Sequence, residues 1–235
     1  KYTNQKLAKT AALIEISKMK KPIGLQDHYA AAYPGFKYMR FNNDGSVYVK
    51  KISLTGSTRV GKIILKQAAE KIQRVTMELS GHAPFIVHDD ANIEKATDMA
   101  MAAKYRNNGQ VCISPSRFYI HESKKEEFTK TFVNKTLKLK IGNGMDKGVL
   151  LGPVTTKKRL EEIEKLVEVT KKEGAKLLCG GKRPAGFNKG YFYEPTIFDN
   201  VRDDFKIMTE EPFGPLSPIL TFKSFNEVIE KANNQ

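Results

Sequence analysis

The chain has 235 residues, 40% of them apolar, and a net charge of +14. That length can bury one large core or two smaller ones, and no apolar run approaches the ~20 residues that cross a bilayer, so a membrane span is excluded. The positive charge is spread over solvated helix faces such as Lys157-Lys-Arg-Leu-Glu-Glu-Ile-Glu-Lys165, without interleaved aromatics, which argues against a nucleic-acid partner.

Two cysteines, Cys112 and Cys179, are too few for a disulfide framework and lack metal spacing. They read as free thiols of a reducing, cytoplasmic compartment. His28, His82, His88 and His121 stand apart and form no ligand cluster, so no metal is expected. The opening Lys1-Tyr-Thr-Asn4 lacks the layout of a secretory signal, and a start without Met reads as processing or a fragment.

In chain order, Lys9 to Lys20 is a predicted helix, stopped by Pro22-Ile-Gly24. Residues 25–48 are the least legible stretch: Tyr29-Ala-Ala-Ala-Tyr-Pro-Gly35 and Asn42-Asn-Asp-Gly45 read as loop and turn, and the region has no functional reading. Val49 to Leu54 is a β-prone run, Thr55-Gly-Ser-Thr58 a turn, and the stretch from Gly61 an amphipathic helix. Arg74 to Ser80 and Ala83 to Val87 are predicted strands. Asp89-Asp-Ala-Asn92 caps a helix that runs to about Tyr105. Arg117 to Ile120 is strand-like, Ser123 to Leu137 helical, and Thr155 to Glu173 a long helix closed by Gly174. Lys176 to Cys179 and the aromatic stretch Gly190 to Phe198 are extended. Glu210 to Pro215 is a rigid turn, Leu216 to Phe222 a strand, and Ser224 caps a last helix. This alternation predicts an α/β fold of mainly parallel sheets flanked by helices.

Cys112 lies on the bend between Gly109-Gln110 and Ser114-Pro115, where a side chain can face a cleft. It is the candidate nucleophile, the alternative being a buried structural thiol. Cys179 sits in a strand pattern and reads as core. Glu78 is flanked by Met77 and Leu79. It is a satisfied core acid, a carboxylate tuned by desolvation for proton transfer, or a surface-facing strand residue, and spacing does not choose. Gly56-Ser-Thr-x-x-Gly61, between strand and helix, either aims backbone N–H groups at an anion or is simply a tight connection. Glu211 and Phe213, on a Pro-stiffened turn, suit a sugar hydroxyl beside a flat ring, or are a surface acid and a core aromatic. Arg106 could hold an anion near the thiol or make a structural salt bridge.

Together and in this order, these motifs resemble the aldehyde dehydrogenase superfamily. Gly56-Ser-Thr-x-x-Gly61 is similar to its cofactor-binding turn, and Glu78-Leu-Ser-Gly81 to the motif of its general-base glutamate, usually Glu-Leu-Gly-Gly. Gly109-Gln-Val-Cys112 resembles the nucleophile motif, and Glu210-Glu-Pro-Phe-Gly-Pro215 the motif that meets the nicotinamide ribose and ring. Gly152-Pro153 and Gly190-Tyr-Phe-Tyr-Glu-Pro-Thr196 also fit. The resemblance is clear from about Lys51 to Gln235 and faint before Gly24, where Lys1 matches a motif lysine but Tyr2-Thr-Asn4 replace Pro-Ala-Glu.

The resemblance implies two domains, the second part of a cofactor domain (1–78) and a catalytic, thiol-bearing domain (79–235). It implies catalysis by Cys112 and Glu78, with NAD or NADP held by Lys1, Gly56, Ser57, Gly61, Leu79, Glu211 and Phe213. Lys51-Ile-Ser-Leu-Thr-Gly-Ser-Thr58, Ala83-Pro-Phe-Ile-Val87 and Lys104-Tyr-Arg-Asn-Asn-Gly-Gln-Val-Cys112 are similar to the succinate-semialdehyde dehydrogenases. There an arginine at the position of Arg106 meets the substrate carboxylate, so a small anionic aldehyde is the implied substrate. Ser114 replaces the second cysteine of that subfamily, which removes a disulfide switch. Complete members are longer and form homodimers or homotetramers. The asparagine of the oxyanion hole, the first part of the nucleotide fold, the dimerisation strand and the final Pro-Phe-Gly-Gly segment lie outside this chain on that comparison. A non-catalytic fragment that keeps the fold as an interaction module is the alternative reading.

Overall fold

The computed structural model describes residues 3–12, 36–41 and 47–234. The chain divides into two compact units, Lys1–Ser80 and Gly81–Gln235.

In the first unit, helix α1 spans Asn4–Ala12. It begins five residues before the expected Lys9, and the rest of the helix expected to Lys20 lies outside the described residues, as does Lys1. Strand β1 (Phe36–Phe41) lies between the two turn-like runs of the poorly legible stretch, and pairs antiparallel with β2 (Val47–Gly56). Helix α2 (Thr58–Ala69) then crosses to β3 (Arg74–Leu79), which lies parallel to β2. This is a βαβ unit, and its crossover starts with no loop at all. β2 ends at Gly56, Ser57 is the N-cap, and its hydroxyl accepts from the Val60 N–H at 3.4 Å. Gly61, Ile64 and Ala68 form the buried stripe of α2. A Cβ on Gly61 would stand 2.7 Å from Leu79 Cδ2, so this glycine lets the helix lie directly on β3.

In the second unit the strands are β4 (Pro84–Val87), β5 (Arg117–His121), β6 (Lys176–Cys179), β7 (Thr196–Asp199) and β8 (Leu216–Phe222). Their order is β4-β5-β8-β7-β6, parallel except that β6 runs antiparallel to β7. The helices are α3 (Ile93–Tyr105), α4 (Lys125–Leu137), α5 (Lys157–Lys172), the short α6 (Lys206–Thr209) and α7 (Phe225–Asn233). Asn92, Thr156 and Ser224 cap α3, α5 and α7 with their side chains. Alternate residues of the sheet feed two cores. Phe118, Ile120, Ile197 and Ile219 meet Ile93, Ala100, Phe128 and Phe132 on one face. Tyr119, Phe198, Leu220 and Phe222 meet Leu160, Ile163, Val167, Ile207 and Val228 on the other. Both faces are covered by helices, as a parallel sheet requires.

The aromatic stretch expected to be extended from Gly190 pairs as a strand only from Thr196. Pro195 has no N–H to give to a ladder. Upstream of it, the Tyr191 carbonyl accepts from Val154 N–H at 2.9 Å and Glu194 N–H donates to the Lys182 carbonyl at 3.0 Å.

A buried guanidinium closes this unit. Arg117 donates to the His82 carbonyl at 2.7 Å and to the Lys231 and Ala232 carbonyls at 3.1 and 2.9 Å. It thereby satisfies the end of α7, where the helix dipole favours a cation.

Candidate active site

Cys112 is exposed and follows α3 by seven residues. The chain leaves α3 through Arg106–Gly109, where Asn107 (φ 49°), Asn108 (φ 57°) and Gly109 (φ 71°) are all left-handed. Asn and Gly are the residues that accept this conformation, and three in a row reverse the chain in one step. A Cβ on Gly109 would overlap the Gly214 carbonyl oxygen, so this turn lies against the backbone of the Glu210–Pro215 turn.

Side chains hold the bend. Asn108 donates to the Gly152 carbonyl at 2.6 Å. Gln110 accepts from both the N–H and the hydroxyl of Thr155, at 3.1 and 3.0 Å, and donates to the Asn107 carbonyl at 3.2 Å. Ser114 N–H donates to the Val111 carbonyl at 2.9 Å. Cys112 is exposed on a loop that Asn108, Gln110 and the Ser114 N–H hold in place. It is therefore not the buried structural thiol of the alternative reading. Cys179 is buried, and desolvation pushes its thiol up to about 11.

The Glu210–Pro215 turn is constrained as well. Pro212 and Gly214 are buried, Glu211 and Phe213 half-buried, and Phe213 takes φ 38°, which a non-glycine residue holds only when its surroundings impose it. The Arg159 guanidinium lies 5.5 Å from the Phe213 ring centroid. A cavity of about 240 Å³ opens beside the turn, lined by Arg159, Glu162, Lys165, Lys206, Glu210 and Glu211 among others.

In the first unit, β3 alternates strictly. Val75, Met77 and Leu79 are half-buried, whereas Arg74, Thr76 and Glu78 are exposed. Glu78 is thus not a core acid. Gly56 and Ser57 are exposed at the start of α2, and a Cβ on Gly56 would meet nothing closer than 3.7 Å. The first-turn N–H groups of α2 have no partner within the helix, which is the arrangement that receives a phosphate. Arg106 is exposed, and no ion pair ties it among the described residues, so the structural salt-bridge reading is not supported.

Lys104, His82 and Ser116 were not among the expected functional residues. Lys104 is 1% exposed and joins Ile93, Thr97 and Ala100 on the buried face of α3. Burial lowers its ammonium to about 7, against the raising influence of Glu211. Its position four residues after Ala100 and seven after Thr97 is the signal that could have placed it inside. His82 is buried, with Nδ1 2.5 Å from the Ser116 hydroxyl and Nε2 3.0 Å from the Ile207 carbonyl. Because a carbonyl only accepts, Nε2 carries the proton and Nδ1 accepts from Ser116. Ser116 is itself buried, so the pair is a structural tie and not a nucleophile.

The family model described as "Aldehyde dehydrogenase family" matches residues 45–235, most of the chain. The chain belongs to the aldehyde dehydrogenase family. It is 44% identical over 186 residues to a betaine aldehyde dehydrogenase of Brucella anthropi, covering 78% of this chain and 38% of that protein. It is 40% identical over 186 residues to an NADP(+) succinate-semialdehyde dehydrogenase of Escherichia coli, covering 79% and 38%. The NAD+ complex of an aldehyde dehydrogenase from Bacillus cereus superposes with TM-score 0.77 at 42% identity, over 80% of this chain and 38% of that one. The chain therefore has the α/β fold of the family and spans less than two fifths of the length of these relatives. Among the described residues no helix is long and apolar enough to cross a membrane, and no cluster of His, Cys, Asp or Glu could hold a metal ion.

Proposed function

We propose that the complete protein to which this chain belongs oxidises an aldehyde to a carboxylic acid with NAD or NADP. The observation that carries this is the exposed Cys112 thiol on a left-handed bend pinned by Asn108 and Gln110. Cys112 attacks the carbonyl carbon to give a thiohemiacetal, whose oxyanion is met by backbone N–H of the same bend. Loss of hydride leaves a thioester on Cys112. Glu78, exposed on β3, takes a proton from the water that hydrolyses it.

The residues present fit a dinucleotide. Gly56, Ser57 and Gly61 form an open turn at a helix start, with Leu79 packed on Gly61, and the half-buried Glu211 and Phe213 offer a carboxylate and a ring on a fixed bend. The bound nicotinamide supplies the hydride acceptor. Lys1, assigned to the same cofactor by resemblance, lies outside the described residues.

The substrate is a small anionic aldehyde of the succinate-semialdehyde type. The exposed Arg106, six residues before the thiol and without an ion pair among the described residues, supports this, as does the likeness to a succinate-semialdehyde dehydrogenase. The likeness to a betaine aldehyde dehydrogenase supports the rival, a cationic aldehyde. We place the complete protein in the cytoplasm, as a homodimer or homotetramer, with the chain contributing a cofactor segment up to residue 78 and a catalytic segment from 79. The alternative is a chain that keeps the fold without catalysis.

An aldehyde panel with both cofactors tests the reading. Succinate semialdehyde is expected to give the highest kcat/KM, and Arg106→Ala to lower it about tenfold or more while leaving an uncharged aldehyde unaffected. Preference for a cationic aldehyde would reverse the substrate assignment, and absence of NAD(P)H formation with every aldehyde would remove the activity.

A further inference from the structure

The most deeply buried cation of the second unit has no part in the reaction just described. Lys104 ends α3, and its Nζ stands 3.2 Å from where a Cβ on Gly109 would be. That same Cβ would overlap the Gly214 carbonyl, so the ammonium lies where the thiol bend and the Glu210–Pro215 turn meet. The backbone of Lys104 is engaged there too, its carbonyl accepting from the Ser114 hydroxyl at 3.5 Å. An ammonium is not retained at 1% exposure for packing, since a methionine fills the same volume without desolvation cost.

Resting on the cofactor role of Glu211 proposed above, we infer that Lys104 is a positioning residue for the nicotinamide ribose: its ammonium fixes the Glu211 carboxylate and locks that turn against the loop of Cys112. Glu211 is the charged group that favours the lysine's protonated state, and it stands on the turn that the ammonium adjoins at Gly214. Lys104 acts through Glu211 and touches no reacting atom. Its removal is felt as looser cofactor, not as a slower nucleophile.

Lys104 and Arg117 both act electrostatically on the buried His82. His82 stays neutral above about pH 4 because of its burial, and Arg117 stays charged throughout. Between about pH 6 and pH 9 the one of these groups that changes charge is therefore Lys104, whose ammonium burial lowers to about 7.

The test is NAD+ binding to the complete protein, measured by calorimetry for wild type, Lys104→Met, Glu211→Gln and the double variant. NAD+ is the probe because its own charge is constant over this pH range. Lys104→Met is expected to weaken NAD+ about tenfold, and to have no further effect once Glu211 is Gln. Wild-type affinity in Lys104→Met, or two losses that simply multiply, overturns the inference while the functional reading stands. A wild type that binds neither cofactor overturns both. If Lys104→Met does not fold, wild type and Glu211→Gln still decide. NAD+ affinity of wild type should fall several-fold from about pH 6 to about pH 9, and Glu211→Gln should be flat. A flat wild type contradicts the role.

Discussion

His82 shows how one buried side chain sets a property of the whole fold. Its ring donates a hydrogen bond to the Ile207 carbonyl and accepts one from the Ser116 hydroxyl, which fixes one neutral tautomer. Burial lowers its pKa to about 4 from an ordinary 6.5, with the Ile207 hydrogen bond opposing. The sign follows from linkage. Below about 6.5 the unfolded chain takes up a proton that the folded chain refuses, so stability is intact above that pH and falls as the pH drops towards 4. The loss between about pH 7 and pH 5 comes to about 2 kcal/mol. Urea midpoints of wild type and His82→Gln should reveal it, with the wild type falling more steeply on acidification. Parallel slopes would show that His82 is not the titrating group. The same scale shows what eluded a reading of the sequence. Lys104 is a lysine in a helix, and a lysine reads as solvated until the stripe Ile93, Thr97, Ala100 is followed one turn further.

Element by element, punctuation decided legibility. β3, β5 and β8 lie where alternation or apolar runs placed them, and the caps Asn92 and Ser224 were visible as side chains before helical patterns. β1 was missed because Tyr33-Pro-Gly35 and Asn42-Asn-Asp-Gly45 on either side are strong turn signals that drowned a six-residue run. The antiparallel direction of β6 was not legible either, since it depends on where Gly180 and Gly181 turn the chain, at φ 72° and 77°. The α2–β3 contact carries a prediction of its own. Gly61→Val would drive two methyls into Leu79, and overpacking of this kind costs about 1–3 kcal/mol. Thermal unfolding should show the loss, and on the cofactor role proposed for Gly56 and Ser57, which lead into α2, NAD+ affinity should fall with it. A fully stable Gly61→Val would mean that α2 rides clear of β3.

At the scale of the molecule, the residues that the family resemblance singled out divide between the two units, with Glu78, Gly56 and Ser57 in one and Cys112, Glu211 and Phe213 in the other. Motif order revealed the family, and the match over residues 45–235 agrees with it. The chemistry of the bend was legible only in part. Gly109-Gln-Val-Cys112 pointed to the thiol, but the hydrogen bonds of Asn108 to Gly152 and of Gln110 to Thr155 join residues more than forty positions apart. Such pairings arise from tertiary packing, which local patterns do not encode. The central claim is that Cys112 forms the acyl intermediate and Glu78 releases it. In the complete protein, Glu78→Gln mixed with aldehyde and NAD(P) should produce one equivalent of reduced cofactor and then stall, with the acyl group found by mass spectrometry on the peptide bearing Cys112. Steady turnover by Glu78→Gln, or an acyl group on any other residue, would contradict the account.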